Sequence, residues 1–330
     1  MNILITGATG FIGTTLTQKL AEDGHNVHAL YRSKEKAKII EHRNVRLFKG
    51  DITDYKSVEC AVRSCEAVFH MAAYARVWAK DSATFNRINV QGTVNVLDAA
   101  QKEGVKKIVF TSTAGVLGPS VNGIVTESTQ RKISYFNEYE IAKAQAEEKI
   151  SEYIRKGLEI VVVNPTRVYG PGILSESNGI TKMIKLYSKG KFRWIPGNGE
   201  SIGNYVYVDD VVEGHVLALE KGKSGERYIL GGHNISFNRF FEQLSSATGQ
   251  NRRMIKLPLL LMLGIAYLLS LRAKAFGIPP LITPPWVKRY LHNWDVSSEK
   301  AIKELGYQIT SLDKGLKKTL DWLKEDEGIK

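Results

Sequence analysis

Tyr139 and Lys143 stand four residues apart in the stretch YEIAKAQAEEKI. Strong helix formers surround them, so the spacing predicts one helix face with the two side chains a turn apart. Such a pair has a definite chemical use. A free phenol titrates at about 10 and is a poor acid–base group at neutral pH. An ammonium beside it favours the phenolate, as does any other nearby cation. Bringing the phenol down by about three pH units needs roughly 4 kcal/mol, within reach of one or two close charges in a water-poor site. The pair then suits proton transfer to or from a substrate oxygen. The spacing is common by chance, and an exposed helix face would carry it equally well, so the elements around it must decide.

The N-terminus supplies the first of those elements. The apolar run Ile3–Thr6 leads into TGATGFIG, and a helix-period pattern follows over Phe11–Glu22. Gly7, Gly10 and Gly13 then lie in the turn and first helical turn of a βα unit. A Cβ there would block the tight turn, the approach of a pyrophosphate and the packing of helix on strand. The first turn, with Phe11 and Ile12, offers free N–H groups and the positive end of the helix dipole.

Further apolar runs suited to buried strands are Val27–Leu30, Val45–Phe48, Ala67–His70, Ile108–Thr111 and Ile160–Asn164, with a helical stretch over Asn89–Glu103. Strands alternating with helices predict an α/β fold, a doubly wound parallel sheet of the Rossmann type. After Asn164 the texture changes: turn-rich GPGILSESNG and WIPGNGESIG interrupt short helices. The expected division is a dinucleotide-binding domain over 1–165 and a smaller mixed substrate-binding lid over 166–330. Tyr205–Glu220, a strand and a helix capped by Asp209, is expected to return 204–222 to the first domain.

Several segments together resemble the short-chain dehydrogenase/reductase family in its extended branch of epimerases, dehydratases and reductases. The glycine loop has the spacing Gly-x-x-Gly-x-x-Gly. GDIT at 50–53 is similar to the segment whose Asp51 and Ile52 border the adenine. VFHMAA at 68–73, with Ala72, resembles the fourth-strand segment lining the cofactor. NPTRVYGPG at 164–172, with Pro165 and Val168, resembles the stretch beside the nicotinamide. SSEKAIKELGY and SLDKGLKKTLDWL are similar to the branch's closing segment, so the match covers nearly the whole chain.

The resemblance implies an enzyme in which Tyr139 transfers a proton, Lys143 also holds the nicotinamide ribose, and a hydroxyl at the end of the fifth strand binds the substrate oxygen. FTSTAGVLG offers Ser112 and Thr113, and alignment with the family pattern selects Thr113. Cofactor choice turns on the end of the second strand. HALYRSKEKAK has no acid there until Glu35, and Arg32 stands near the position of a 2′-phosphate, which points to NADP(H) ahead of NAD(H). Histidines show no ligand spacing, and no catalytic metal is expected.

For substrate, the resemblance leaves three readings. Sugar-nucleotide epimerases of the branch carry an arginine shortly before Tyr-Val-Asp-Asp, where ESIGNYVYVDD has Gly203. Tyr74, Trp78, Phe192, Trp194, Tyr205 and Trp286 suit an apolar, ring-containing or long-chain carbonyl or alcohol, closer to dihydroflavonol reductase-like and 3β-hydroxysteroid dehydrogenase-like members. A nucleotide-sugar epimerase with bound NAD is the alternative. A non-catalytic dinucleotide sensor is the third, disfavoured by the intact Tyr139 and Lys143.

Bulk properties bound the partners. With 43% hydrophobic and 24% charged residues, the chain can bury a sizeable core. Cys60 and Cys65 alone cannot build a disulfide framework, and no basic n-region precedes an apolar stretch, so a cytoplasmic protein without a secretory leader is expected. The net charge of +12 is spread without a long basic run, which argues against nucleic acid. A homodimer stays open. LPLLLMLGIAYLLSL, residues 257–271, is uncharged and flanked by cations. Two readings are set against each other: a helix buried between lid and sheet, or one that rests on a membrane surface.

Overall fold

The computed structural model describes residues 1–174 and 177–326. Two residues of the turn-rich GPGILSESNG segment and the last four of the expected lid lie outside them. The first six strands, β1 (Asn2–Thr6), β2 (Asn26–Tyr31), β3 (Val45–Lys49), β4 (Ala67–His70), β5 (Lys107–Thr111) and β6 (Ile160–Pro165), each match a predicted run within a residue. They are followed by β7 (Arg167–Tyr169), β8 (Trp194–Pro196), β9 (Ile202–Tyr207), β10 (Arg227–Leu230), β11 (His233–Ser236) and β12 (Ile255–Leu257).

Seven strands form one parallel sheet in the order β10-β6-β5-β4-β1-β2-β3. Side chains alternate between two covered faces. Ile3, Ile5, Val27, Val109 and Val161 enter one core, while Leu4, Val68, Ile108, Phe110 and Ile160 enter the other. The chain leaves β1 toward β3 and returns to β4, so the strand order reverses between β1 and β4. That reversal opens a crevice at the carboxyl ends, where ligands bind such sheets.

The rest of the chain divides between the two layers. The helix Val208–Lys221 buries Val211 and Val212 in the same core as Ile3, and Ala301, Leu305 and Tyr307 join them there. A three-stranded sheet, β11-β9-β7, and the pair β12-β8 build the upper layer over an aromatic core that includes Tyr169, Tyr187, Phe240 and Phe241. Three expectations need correction. β9 pairs within the small sheet, so the returning segment adds its helix and the Val206 side chain to the main core but no strand to the main sheet. That helix starts after Tyr207, and Asp209 sits in its first turn near the dipole rather than at the cap. The stretch over 89–103 is divided: a π-helical turn at Arg87–Gln91 precedes the helix Gly92–Lys102.

The apolar run forms a helix over Leu259–Phe276, after Pro258 and stopped by Gly277 in the left-handed conformation, φ +68°. The buried-helix reading is overturned here. Only Ala266 and Ala273 of this helix are fully covered, while Leu260 is 83% and Leu268 68% exposed.

Candidate active site at the carboxyl ends of the strands

The glycine loop closes tightly around the end of β1. Gly7 has φ +77°, and a Cβ on it would meet the Ala72 backbone nitrogen at 2.8 Å. A Cβ on Gly13 would stand 2.1 Å from the Gly7 carbonyl oxygen, so the helix Phe11–Glu22 can approach the strand only with glycine there. Gly10 is the N-cap and donates to the Gly7 carbonyl at 2.9 Å. No side chain caps this helix, and its first turn at Phe11, Ile12 and Gly13 presents N–H groups to the crevice. The cradle fits a dinucleotide pyrophosphate: glycine at 7 and 13 lets the helix close on the strand, and the uncapped N–H groups of its first turn are free to meet phosphate oxygens.

Across the crevice, the helix Glu138–Arg155 carries Tyr139 and Lys143. Asn137 caps it by accepting from the Glu140 N–H at 2.9 Å. Glu147 anchors it further along, pairing with Arg227 on β10 at 3.0 Å and accepting from Asn164 on β6 at 3.2 Å. Lys143 is 2% exposed; its Nζ donates to the Thr111 carbonyl at 2.7 Å and lies 3.9 Å from the centre of the Phe110 ring. Burial pulls its amine down to about 7, with the Glu147 charge opposing. Tyr139 packs with Tyr74 and Ala79 on a cluster of Phe85, Val90 and Ala142. Desolvation pushes its phenol up to about 12, and the Arg289 charge works against that rise. Thr113 stands at the end of β5, where its hydroxyl accepts from the Gly115 N–H at 3.1 Å and its carbonyl accepts from Asn164 at 3.1 Å. The Ser112 hydroxyl beside it is buried without a partner among the described residues. Tyr187 and Lys191 share the four-residue spacing, but their helix ends at Ser188 and the Tyr187 hydroxyl is bonded to the Gln250 carbonyl.

A charge arrangement next to Tyr139 has no counterpart in the sequence reading. The Glu140 carboxylate, 1% exposed, is held between Arg131, at 2.8 Å, and Arg289. Arg289 arrives from the helix Pro284–Arg289, its guanidinium 3.9 Å from the Trp294 ring centre. Arg131 also donates to the Gly115 carbonyl at 2.6 Å, which fixes the turn after Thr113. Two guanidiniums against one carboxylate leave positive potential beside the phenol. The lone sequence signal was an acid following the tyrosine; its partners come from distant segments. Asn89 is a second missed residue: from the π-helical turn, its Oδ1 accepts from the Tyr74 N–H at 2.7 Å and fixes the loop after β4.

The remaining expected cofactor residues lie near the carboxyl ends of the strands, but not all of them face the crevice. Arg32 follows β2 and, largely exposed, pairs with Asp51 at 3.3 Å. Burial pushes the Asp51 carboxyl up, but hydrogen bonds from Thr53 and the Arg32 charge outweigh it and hold it below its ordinary value. Ile52 is turned into the core against Gly92. The Ala72 N–H donates to the Thr6 hydroxyl at 3.3 Å, beside Gly7. Pro165 ends β6, and Val168 on β7 packs on the main core. His70 is buried between the hydroxyls of Thr6, at 2.7 Å, and Thr93, at 2.9 Å, and burial drives its imidazole down to about 3, so it is a neutral framework group.

The six aromatics split. Tyr74 adjoins Tyr139, its hydroxyl donating to the Trp78 carbonyl at 3.2 Å, and Trp286 stacks on Arg289. Phe192 and Tyr205 belong to the upper core, and Trp194 stays exposed on β8. The Arg167 guanidinium occupies the space beside Gly203 and donates to the Tyr205 hydroxyl at 3.1 Å.

Comparison with known proteins agrees with this geometry. Residues 3–231 match the profile of the NAD dependent epimerase/dehydratase family. A Synechocystis protein bearing a provisional dihydroflavonol 4-reductase name is 30% identical, over 99% of this chain and 95% of its own. Sterol demethylase protein B of Methylococcus capsulatus is 28% identical, over 98% of this chain and 99% of its own. The crystal structure of UDP-glucose 4-epimerase from Thermotoga maritima, solved with UDP-glucose, superposes with a TM-score of 0.82 at 28% identity, covering 99% of this chain and 100% of that one. The chain therefore belongs to the NAD-dependent epimerase/dehydratase family, within the extended short-chain dehydrogenases, and is an NAD(P)-dependent enzyme of the oxidoreductase type.

Proposed function

We propose that the protein interconverts a ketone and a secondary alcohol on an apolar, ring-containing or long-chain substrate in the cytoplasm, with NADP(H) as the favoured cofactor. The seating of Tyr139 carries this reading: its ring lies among Tyr74, Phe85 and Val90, while Lys143 one turn on reaches the end of β5. In this scheme Tyr139 exchanges a proton with the substrate oxygen, and the Thr113 hydroxyl donates to that oxygen. Lys143 holds the ribose hydroxyls. A bound cofactor supplies or accepts the hydride and, when oxidised, adds a positive charge that favours the phenolate. The names of the Synechocystis and Methylococcus relatives support a ring-containing substrate. The two thiols, neither of them in a disulfide, support a reducing compartment.

A specific observation favours a second reading, a nucleotide-sugar epimerase using NAD. The Arg167 guanidinium fills the space beside Gly203, so a cation stands near the place from which the sequence lacks one. The Thermotoga neighbour supports the same reading. The experiment is a turnover screen of purified protein with NADPH and NADH against aromatic and alicyclic ketones and against UDP- and dTDP-sugars. Ketone reduction that falls by roughly 10²–10⁴-fold in Tyr139→Phe, with cofactor affinity kept, is the expected result. Turnover of nucleotide sugars alone, lowered by Arg167→Ala, would replace the first reading with the second.

A further inference from the structure

The helix Leu259–Phe276 lies lengthwise on the protein. Ala266 and Ala273, two turns apart, are fully buried and mark the line of contact. Its start is tied down by β12, which pairs with β8, and its far end turns at Gly277 into the helix Pro284–Arg289, which packs against it. The opposite face exposes Leu260, Leu261, Ile265, Leu268 and Leu271, and Leu281 beyond the turn is 88% exposed. Residues 252–281 contain five basic residues, Arg252, Arg253, Lys256, Arg272 and Lys274, and no acidic one. All but Arg252 are exposed, at the two ends of the apolar face.

We propose that this face docks the enzyme on an anionic lipid bilayer, with the helix in the plane of the headgroup boundary. Eighteen residues span about 27 Å, close to the hydrocarbon thickness of a bilayer. Crossing it would nevertheless require stripping the helix from its Ala266–Ala273 contact and from β12. An in-plane helix sinks only its outer face by ~5–10 Å and keeps both anchors. The terminal cations are placed to meet lipid phosphates, and Arg272, in the last turns, has a stem long enough to reach them from the apolar side. Charge argues against a second copy as the occupant. Face-to-face pairing would bring two all-basic segments together without a carboxylate from either.

The position also bears on substrate supply, a part of the inference that rests on the apolar-substrate reading. The helix packed against the docking helix is the one that delivers Arg289 to Glu140, next to Tyr139. A bilayer-dissolved substrate would thus meet the enzyme on the side that holds its catalytic tyrosine.

The test is flotation of the full chain with phosphatidylcholine vesicles, with and without phosphatidylserine. The parent protein is expected to float with anionic vesicles at low salt and to be released by high salt. Removing each cation, as in Arg272→Gln and Lys274→Gln, is expected to weaken binding roughly fivefold. Leu268→Glu with Leu271→Glu is expected to abolish flotation while melting temperature and cofactor affinity stay at parent values. Parent protein that does not float, or a double-glutamate variant that floats equally well, overturns the proposal. So does a vesicle-free dimer that the double variant converts to monomer. Flotation reads no turnover, so its failure leaves the ketone reading standing. Conversely, loss of that reading leaves flotation unaffected.

Discussion

At Tyr139 and Lys143, burial sets the charge before any ligand arrives, holding the amine at about 7 and the phenol at about 12. The Lys143 amine has an ordinary value of 10.5, which the unfolded chain regains. Between about 7 and 10.5 the unfolded state therefore binds more protons, and stability rises with pH through that window. Below it the penalty of a buried ammonium is fully present, on the order of a few kcal/mol. Lys143→Met is expected to raise the melting temperature of the cofactor-free protein below pH 7 and to flatten the rise toward pH 10. An unchanged pH slope would show that the amine is hydrated in solution. Arg289 acts on the phenol from the other side. Its cation favours the phenolate, so Arg289→Gln is expected to move the acidic limb of alcohol oxidation, where the phenol must lose its proton, to higher pH by about one unit. The same change strands Glu140 with one guanidinium, which costs stability. Adding Glu140→Gln leaves the Arg131 guanidinium without that carboxylate and should lower the melting temperature further, whereas Arg289→Lys should recover both the melting temperature and the pH limb.

At the scale of elements, the proposed NADP(H) preference rests on the turn after β2. The exposed Arg32–Asp51 pair is worth about 0–1 kcal/mol, and a charge-assisted contact to a 2′-phosphate about 1.5–3. Exchange of one for the other favours NADPH, and Arg32→Ala is expected to weaken NADPH binding about tenfold while sparing NADH. Equal titration of the parent by both cofactors would remove Arg32 from that role. The glycine loop, six strands and the helix of Tyr139 are legible in the sequence because each is written in local period and local sterics. β10 is not: RYIL is a short run after turns, and only its pairing with β6 makes it a strand. Arg131 and Arg289 are equally silent, since nothing near them in sequence names Glu140 as their partner. The helix Leu259–Phe276 is legible as a helix but not in its surroundings, because an all-round apolar pattern fixes what must be covered and leaves the cover unspecified.

Across the whole molecule, the site is assembled from segments far apart in the chain. The cradle, Lys143 and Thr113 are complete by β6, whereas Arg289 belongs to the last fifth of the sequence. The pairing of Glu140 with Arg289 thus has a consequence in time. During synthesis or refolding, the carboxylate beside Tyr139 has only Arg131 until the 284–289 segment docks, and contacts of such long sequence separation form late. A chain diluted from denaturant is expected to regain cofactor binding first and turnover after a lag. Glu140→Gln removes the charge that draws Arg289 in and leaves two guanidiniums facing each other, so it should lengthen that lag. Simultaneous recovery of binding and turnover in the parent would mean that docking of the C-terminal segment does not limit the birth of an active enzyme.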